Sequence, residues 1–188
     1  MAKVLVVDAG GRGNAIAHAF SRSEKVKEVY VAPGNAGSEF FPKCKQLKEV
    51  KSIRDLDGIV RAAKKLEVDL VFVGPEEPLS LGIVDLLEEE GIPAFGPKKE
   101  QTLIEASKCW AKDFLTKIGV PIPDYRNFDD VEEAKEYVKE QFESGKKVVV
   151  KADGLAAGKG VYVCDCVDEA ILAVEEIMVK KKFGDAGN

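Results

Sequence analysis

The chain has no excess of positive charge. Its 28 lysines and arginines are outnumbered by 33 aspartates and glutamates, giving a formal net charge of -5 and a pI near 5.2. A general nucleic-acid surface needs a basic face, so that class is excluded, while a local basic pocket for a phosphorylated metabolite is not. No apolar run approaches the ~20 residues of a membrane span, so no membrane partner is expected. The first residues run straight into an apolar strand, which predicts no secretory leader. Cysteine is scarce: Cys44, Cys109, Cys164 and Cys166. Cys164 and Cys166 fall on alternate faces of an extended segment, which is not a usual zinc or redox spacing. All four are expected as reduced thiols in a cytoplasmic protein. The single histidine, His18, lies on an apolar helix start and is expected to be structural. Glutamine is rare beside abundant lysine and glutamate, a weak lean towards a heat-adapted source.

What remains is ordinary for a globular protein: 45% hydrophobic and 32% charged residues in 188, enough for one large or two small domains. The most informative stretch is VVVKADGLAAGKGVYV at 148–163. A β-branched run, a small-residue loop and a second β-branched run predict strand, loop, strand. Gly154, Gly158 and Gly160 let backbone N–H groups approach a ligand without an intervening Cβ. Lys151, at the end of the first strand, is expected to be held, and Lys159 sits inside the glycine cluster. Two such point charges suit phosphate. The pattern alone also fits a mobile hairpin tip with surface lysines. It is not a P-loop: Gly154 to Gly158 is one residue short, Gly160 follows Lys159 where Ser or Thr belongs, and a strand follows instead of a helix.

Along the chain, an apolar run at 3–8 turns through Gly10, Gly11, Arg12, Gly13 and Asn14 into a helix, the opening of a Rossmann-like unit. A helix N-terminus there attracts anions. The dinucleotide fingerprint lacks its third glycine, and the second strand ends in Pro33-Gly34 without an acidic ribose ligand, which disfavours NAD. Further strands are expected at 28–32, 69–73 and 92–95, alternating with helices at 52–66 and 83–90. That makes one parallel α/β domain ending near Gly96-Pro97. Residues 33–37 read as a turn. Residues 74–79 read as a rigid loop at a strand C-terminus, where ligands bind in open α/β sheets. A helix at 100–118 carries Lys108 and Lys112 on one face, with Trp110 as a core or interface anchor. Gly119 to Pro123 suits a hinge. A helix at 130–142, the glycine hairpin and a helix at 167–179 make 120–188 an α+β region with antiparallel pairing. The tail at 180–188 reads as an interrupted loop, not a natural terminus.

Seven motifs occur in order: the glycine-rich first loop, VAPGNAG at 31–37, VGPEEPL at 73–79, FGP at 95–97, SKCWAKDFL at 107–115, VKADGLAAGKGV at 150–161 and FGDAG at 183–187. Together they resemble the glycinamide ribonucleotide synthetase (phosphoribosylamine–glycine ligase) family of the ATP-grasp enzymes, over nearly the whole chain. The resemblance implies a Rossmann-like substrate-binding domain over 1–97, a connecting helix over 98–119 and a truncated ATP-grasp lid subdomain over 120–188. It implies a ligase that activates glycine with ATP as glycyl phosphate and joins it to 5-phosphoribosylamine in purine biosynthesis. By the same resemblance Lys108, Lys151, Gly154, Gly158, Lys159 and Gly160 bind ATP. Gly10, Gly11, Arg12, Asn35, Gly37, Gly74, Pro75 and Glu76 line the phosphoribosylamine pocket. No residue is assigned as nucleophile or base, because positioning and charge neutralisation carry such a reaction. The family's Mg²⁺ or Mn²⁺ ligands are expected beyond Asn188, downstream or on a separate C-terminal segment, so residues 1–188 alone are expected to be inactive. Another ATP-grasp ligase or carboxylase, or a non-catalytic ligand-binding derivative, stays open. One departure stands out: the family's first loop reads Gly-Gly-Arg-Glu-His, and here Gly13-Asn14 replaces Glu-His.

Overall fold

The computed structural model describes residues 1–156 and 158–187. Ala157, in the expected lid loop, and Asn188, at the end of the expected tail, lie outside the described residues. Backbone packing divides the chain into two units, Met1–Thr102 and Leu103–Asn188. Among the described residues, no helix is long and apolar enough to cross a membrane.

The first unit is an α/β layer structure. Strands β1 (Ala2–Asp8), β2 (Val26–Pro33), β3 (Cys44–Gln46), β4 (Leu70–Val73) and β5 (Ala94–Phe95) form one parallel sheet in the order β3-β2-β1-β4-β5. Helices α1 (Gly11–Ser21), α2 (Leu56–Leu66), α3 (Glu76–Ser80) and α4 (Ile83–Glu89) complete it. Successive side chains of a strand point to opposite faces. Leu5 and Val7 therefore pack with Ile59, Ile83 and Leu87, while Val4 and Val6 pack with Ala17 and Val29. Both faces of β1 are covered, which is why it reads as an unbroken apolar run. Helix α2 starts at Leu56, four residues after the sequence-based start at 52, because the Asp55 carboxylate caps it by accepting from Gly58 N (2.9 Å). Two elements were not foreseen. The short edge strand β3 has only one apolar residue in three. The segment expected as a rigid loop at 74–79 is helical from Glu76, with Pro75 before its first turn.

The second unit is α+β. Strands β6 (Val148–Lys151) and β7 (Val161–Cys164) form an antiparallel hairpin, with Val148 opposite Cys164 and Lys151 opposite Val161. Val148, Val150, Tyr162 and Cys164 face α7 (Val131–Glu143) and α8 (Val167–Val174). Val149, Val161 and Val163 face outward and are exposed. Helix α7 begins where the Asp130 carboxylate accepts from the amides of Glu132 and Glu133, both at 2.9 Å. The helix expected over 100–118 is two helices, α5 (Leu103–Ala106) and α6 (Lys108–Lys117). Ser107 breaks it: its backbone is extended, and its hydroxyl accepts from Trp110 N (3.0 Å) as the α6 N-cap. The helix expected over 167–179 loosens into a π-turn at Glu175–Val179. Trp110 is not a core residue; it is 37% exposed and stacks on Phe114.

Candidate functional site

Each unit holds its own group of sequence-predicted residues. In the first unit they gather at the C-terminal ends of the strands. The strand order turns back at β1, which places the crevice of an open parallel sheet between the loops after β1 and β4. The turn after β1 and the start of α1 hold Gly10, Gly11 and Arg12, and the turn after β4 and the start of α3 hold Gly74, Pro75 and Glu76. Between them sits Asp8, the last residue of β1 and only 4% exposed. Its Oδ1 accepts from Gly10 N (2.6 Å) and its Oδ2 from Arg12 Nε (3.2 Å). The far side of the Arg12 guanidinium lies 3.6 Å from the Glu76 carboxylate. Arg12 is thus bracketed by two acids while remaining half exposed at the mouth. The anion-attracting start of α1 already faces a carboxylate of the chain itself.

The turn after β2 closes on the same loop. Asn35 Nδ2 donates to the carbonyls of Ala9 (3.1 Å) and Gly10 (3.3 Å), and Asn35 Oδ1 accepts from Gly37 N (2.8 Å). Asn14 donates to Asn35 Oδ1 (2.9 Å) and accepts from Ser38 Oγ (3.0 Å). The Ser38 hydroxyl in turn accepts from Asn35 N (2.9 Å). A Cβ on Gly37 would lie 2.7 Å from Asn14 Nδ2, so a side chain there would push the Asn14 amide out of this network. All eight residues predicted for this pocket lie in these three segments, five in turns and Gly11, Arg12 and Glu76 in the first turns of α1 and α3. Asp8, Asn14 and Ser38 belong with them and were not foreseen. For Asp8 the only sequence signal is the pair of glycines, Gly13 and Gly74, which pack on it in space but stand far from each other in the chain. His18 lies outside the group, exposed and stacked on Phe41.

In the second unit the glycine loop folds against the start of α6. The Asp153 carboxylate accepts from Cys109 N (2.7 Å) and from the Ser107 hydroxyl (3.1 and 3.0 Å), which places an anion at the helix N-terminus. Lys108 Nζ donates to the carbonyls of Gly154 (2.8 Å) and Asp153 (3.2 Å). An ammonium has three N–H donors, so two are taken by the loop and one is left. Gly154 packs on Ala186, and a Cβ on it would lie 2.9 Å from the Ala186 Cβ. Gly160 is buried and its carbonyl accepts from Ala152 N (2.8 Å), extending the hairpin ladder; Gly158 has φ +76°, a left-handed conformation that suits glycine. Burial, then the neighbouring Asp153 carboxylate, pushes the Cys109 thiol up to about 11.

Lys151 departs from expectation. It ends β6 as foreseen, but its side chain is exposed and, among the described residues, makes no hydrogen bond or ion pair; the same holds for the Lys159 side chain. The alternation of the hairpin explains this, since Lys151 shares the outward face with Val149 and Val161. The structure therefore joins Lys108 to Gly154 directly and leaves the two hairpin lysines as unpaired cations. Among the described residues, no three His, Cys, Asp or Glu side chains come together as a metal site, so no metal step is assigned to them.

Comparison with known proteins gives the family. Residues 2–105 match the family described as "Phosphoribosylglycinamide synthetase, N domain", and residues 106–188 match "Phosphoribosylglycinamide synthetase, ATP-grasp (A) domain". The chain is 74% identical over 190 residues to the phosphoribosylamine–glycine ligase of Archaeoglobus fulgidus, covering 99% of this chain and 40% of that one. It is 46% identical to the trifunctional purine biosynthetic protein adenosine-3 of Drosophila pseudoobscura pseudoobscura, covering 98% of this chain and 13% of that one. Among solved structures, the phosphoribosylamine–glycine ligase of Thermotoga maritima superposes with a TM-score of 0.72 at 26% identity, over 97% of this chain and 41% of that one. The chain thus spans about two fifths of the length of these single-function ligases. With both domain descriptions matched in sequence order, the chain belongs to the phosphoribosylglycinamide synthetase family.

Proposed function

We propose that these residues supply the sugar-phosphate crevice and the nucleotide-phosphate loop of an ATP-dependent ligase. The reaction joins glycine to 5-phosphoribosylamine and yields glycinamide ribonucleotide, ADP and phosphate in purine biosynthesis. A carboxylate is a poor electrophile until one of its oxygens becomes a phosphate leaving group, so activation as glycyl phosphate precedes attack by the amine. No protein nucleophile is needed, and the chain's part is positioning and charge neutralisation. Lys151, Lys159 and the remaining donor of Lys108 neutralise the phosphates of ATP, and Gly154, Gly158 and Gly160 admit them to the backbone. Arg12, held by Asp8 and Glu76, and Asn35 with Gly37 form the pocket for the phosphorylated sugar amine. Gly10, Gly11, Gly74 and Pro75 shape it. A Mg²⁺ or Mn²⁺ ion is expected to accompany the nucleotide, with carboxylate ligands expected beyond Asn188. A cytoplasmic setting agrees with four free thiols.

The observation that carries this reading is the pair of exposed lysines with no counter-ion among the described residues, flanking a glycine loop. The test is Lys151→Ala in the intact enzyme, measuring phosphate release that depends on ATP, glycine and phosphoribosylamine together. Turnover is expected to fall about 10²-fold with the unfolding midpoint unchanged. Unchanged turnover removes the lysine from the mechanism. Replacing glycine by other carboxylates separates this ligase from others on the same scaffold. Residues 1–188 alone are expected to give no ligation; measured product from them overturns that part.

A further inference from the structure

The replacement of the loop's Glu-His by Gly13-Asn14 reads, in the sequence, as the loss of a carboxylate. The structure shows the Asp8 side chain in the space that a side chain at position 13 would enter. A Cβ built on Gly13 would lie 2.5 Å from the Asp8 Cβ and 2.9 Å from its Cγ. Contacts this short do not occur between real side chains, and the Asp8 atom concerned is the one nearest its own backbone, which cannot swing away. Positions 8 and 13 therefore exclude each other: a side chain stands at one or at the other. Gly74, after β4, adds a softer constraint: its Cβ would lie 2.5 Å from Asp8 Oδ2, the movable end of that side chain. Two glycines, one in α1 and one after β4, thus leave room for one buried carboxylate.

That carboxylate has a specific task. It reaches Gly10 N at 2.6 Å, fixing the entry to α1, and Arg12 Nε at 3.2 Å. The guanidinium is planar and rigid, so holding Nε fixes the direction of both terminal nitrogens. Arg12 is half exposed, and its Nη2 lies 3.6 Å from the Glu76 carboxylate. With Nε and Nη2 so held, the Nη1 edge of an exposed guanidinium is the part that can donate to an anionic oxygen of a phosphorylated sugar.

We propose that Asp8 is a positioning residue of this crevice. It supplies from the end of β1 the carboxylate that the family's usual loop carries at position 13, and it sets the affinity for the phosphorylated sugar through Arg12. The proposal rests on the ligase reading above. Its steric half, the mutual exclusion of positions 8 and 13, does not depend on any substrate.

The test uses the intact enzyme and five variants: Gly13→Ala, Asp8→Asn, Asp8→Gly, and Asp8→Gly with either Gly13→Ala or Gly13→Glu. Gly13→Ala alone is expected to lower the unfolding midpoint by roughly 5 °C or more. In the Asp8→Gly background the same change is expected to cost nothing. Additive midpoints would overturn the exclusion. Calorimetric titration with ribose 5-phosphate is expected to show about tenfold weaker binding for Asp8→Asn. The KM for phosphoribosylamine is expected to rise by a similar factor, while the KM for ATP stays fixed. Asp8→Gly/Gly13→Glu is expected to restore both, which a merely structural Asp8 would not do. Wild-type affinity in Asp8→Asn overturns the positioning role while turnover persists. A wild-type enzyme that neither binds ribose 5-phosphate nor condenses glycine overturns the ligase reading itself, and the two failures are thereby distinct.

Discussion

The two units treat charge in opposite ways. In the crevice of the first, every charged or amide side chain is already paired: Asp8 with Arg12, Arg12 with Glu76, Asn35 with Asn14 and two backbone carbonyls. In the hairpin of the second, Lys151 and Lys159 have no partner among the described residues, and Lys108 is occupied by the carbonyls of the loop it is expected to serve. Preorganised groups lose little freedom when a ligand arrives, and their geometry is fixed before binding. Unpaired cations gain most from an arriving anion, and a loop tied by two hydrogen bonds to a lysine has contacts to exchange. The crevice is built to recognise and the hairpin is built to respond.

The difference begins in the core. Leu5 is wholly buried in a sheet covered on both faces, whereas Val163 stands 72% exposed on the open face of a two-stranded sheet. Leu5→Ala is expected to cost about 2–5 kcal/mol in chemical denaturation of the chain, through lost burial and the cavity left behind. Val163→Ala is expected to stay within about 0.5 kcal/mol. A comparable loss at Val163 would mean that the hairpin's outward face is covered in solution, and the contrast between the units would fall.

The loops sharpen the same comparison at smaller scale. Asn35→Ala removes two donors and one shared acceptor from a closed network and leaves Gly37 N and Asn14 without their partner. A loss of about 2 kcal/mol is expected. Asp153→Ala removes the acceptor of Cys109 N and of the Ser107 hydroxyl at the start of α6. About 1 kcal/mol is expected there, because the helix end is partly exposed and Ser107 still caps Trp110. Hydrogen exchange at Cys109 against Gly37 reads the two sites separately. If Asp153→Ala proves the costlier, the hairpin loop is as preorganised as the crevice.

How much of this was legible follows from what each element depends on. Strand β1 shows itself because both its faces are buried, and β6 and β7 because β-branched runs flank glycine. Strand β3 does not, because Lys45 and Gln46 carry no apolar signal and its pairing with β2 is an edge contact. The break at Ser107 was hidden by apolar residues on both sides, Ala106 and Cys109, which continue a helical spacing; the Asp153 that completes the cap is 46 residues away. The predicted pocket residues follow the strand ends as a set, since glycines and turn residues mark where a strand stops and a turn or helix begins. Asp8 stayed hidden because its role is defined by Gly13 and Gly74, and a space left by two glycines has no linear signature.

The smallest effect tests whether the glycine loop stays where it is. Cys109 titrates near 11, above its ordinary value of 9.0, first because it is buried and then because Asp153 lies beside it. The folded chain therefore holds this proton more tightly than the unfolded chain. Its contribution to stability is fully present below pH 9 and is lost as pH rises through 11. The thiol is only partly buried, so the slope is expected to be shallow, and Cys109→Ser should remove it. With its thiol pushed up, Cys109 is less often thiolate than an ordinary cysteine, and alkylation is expected at the exposed Cys166 well before Cys109. Mass spectrometry of a timed iodoacetamide reaction reads the order. Labelling of Cys109 as fast as Cys166 would place Asp153, and with it the loop carbonyls that hold Lys108, away from the start of α6 in solution. Slow labelling that turns fast when ATP is added would show the reverse: a loop closed at rest that lets go of Lys108 when phosphate offers a better partner.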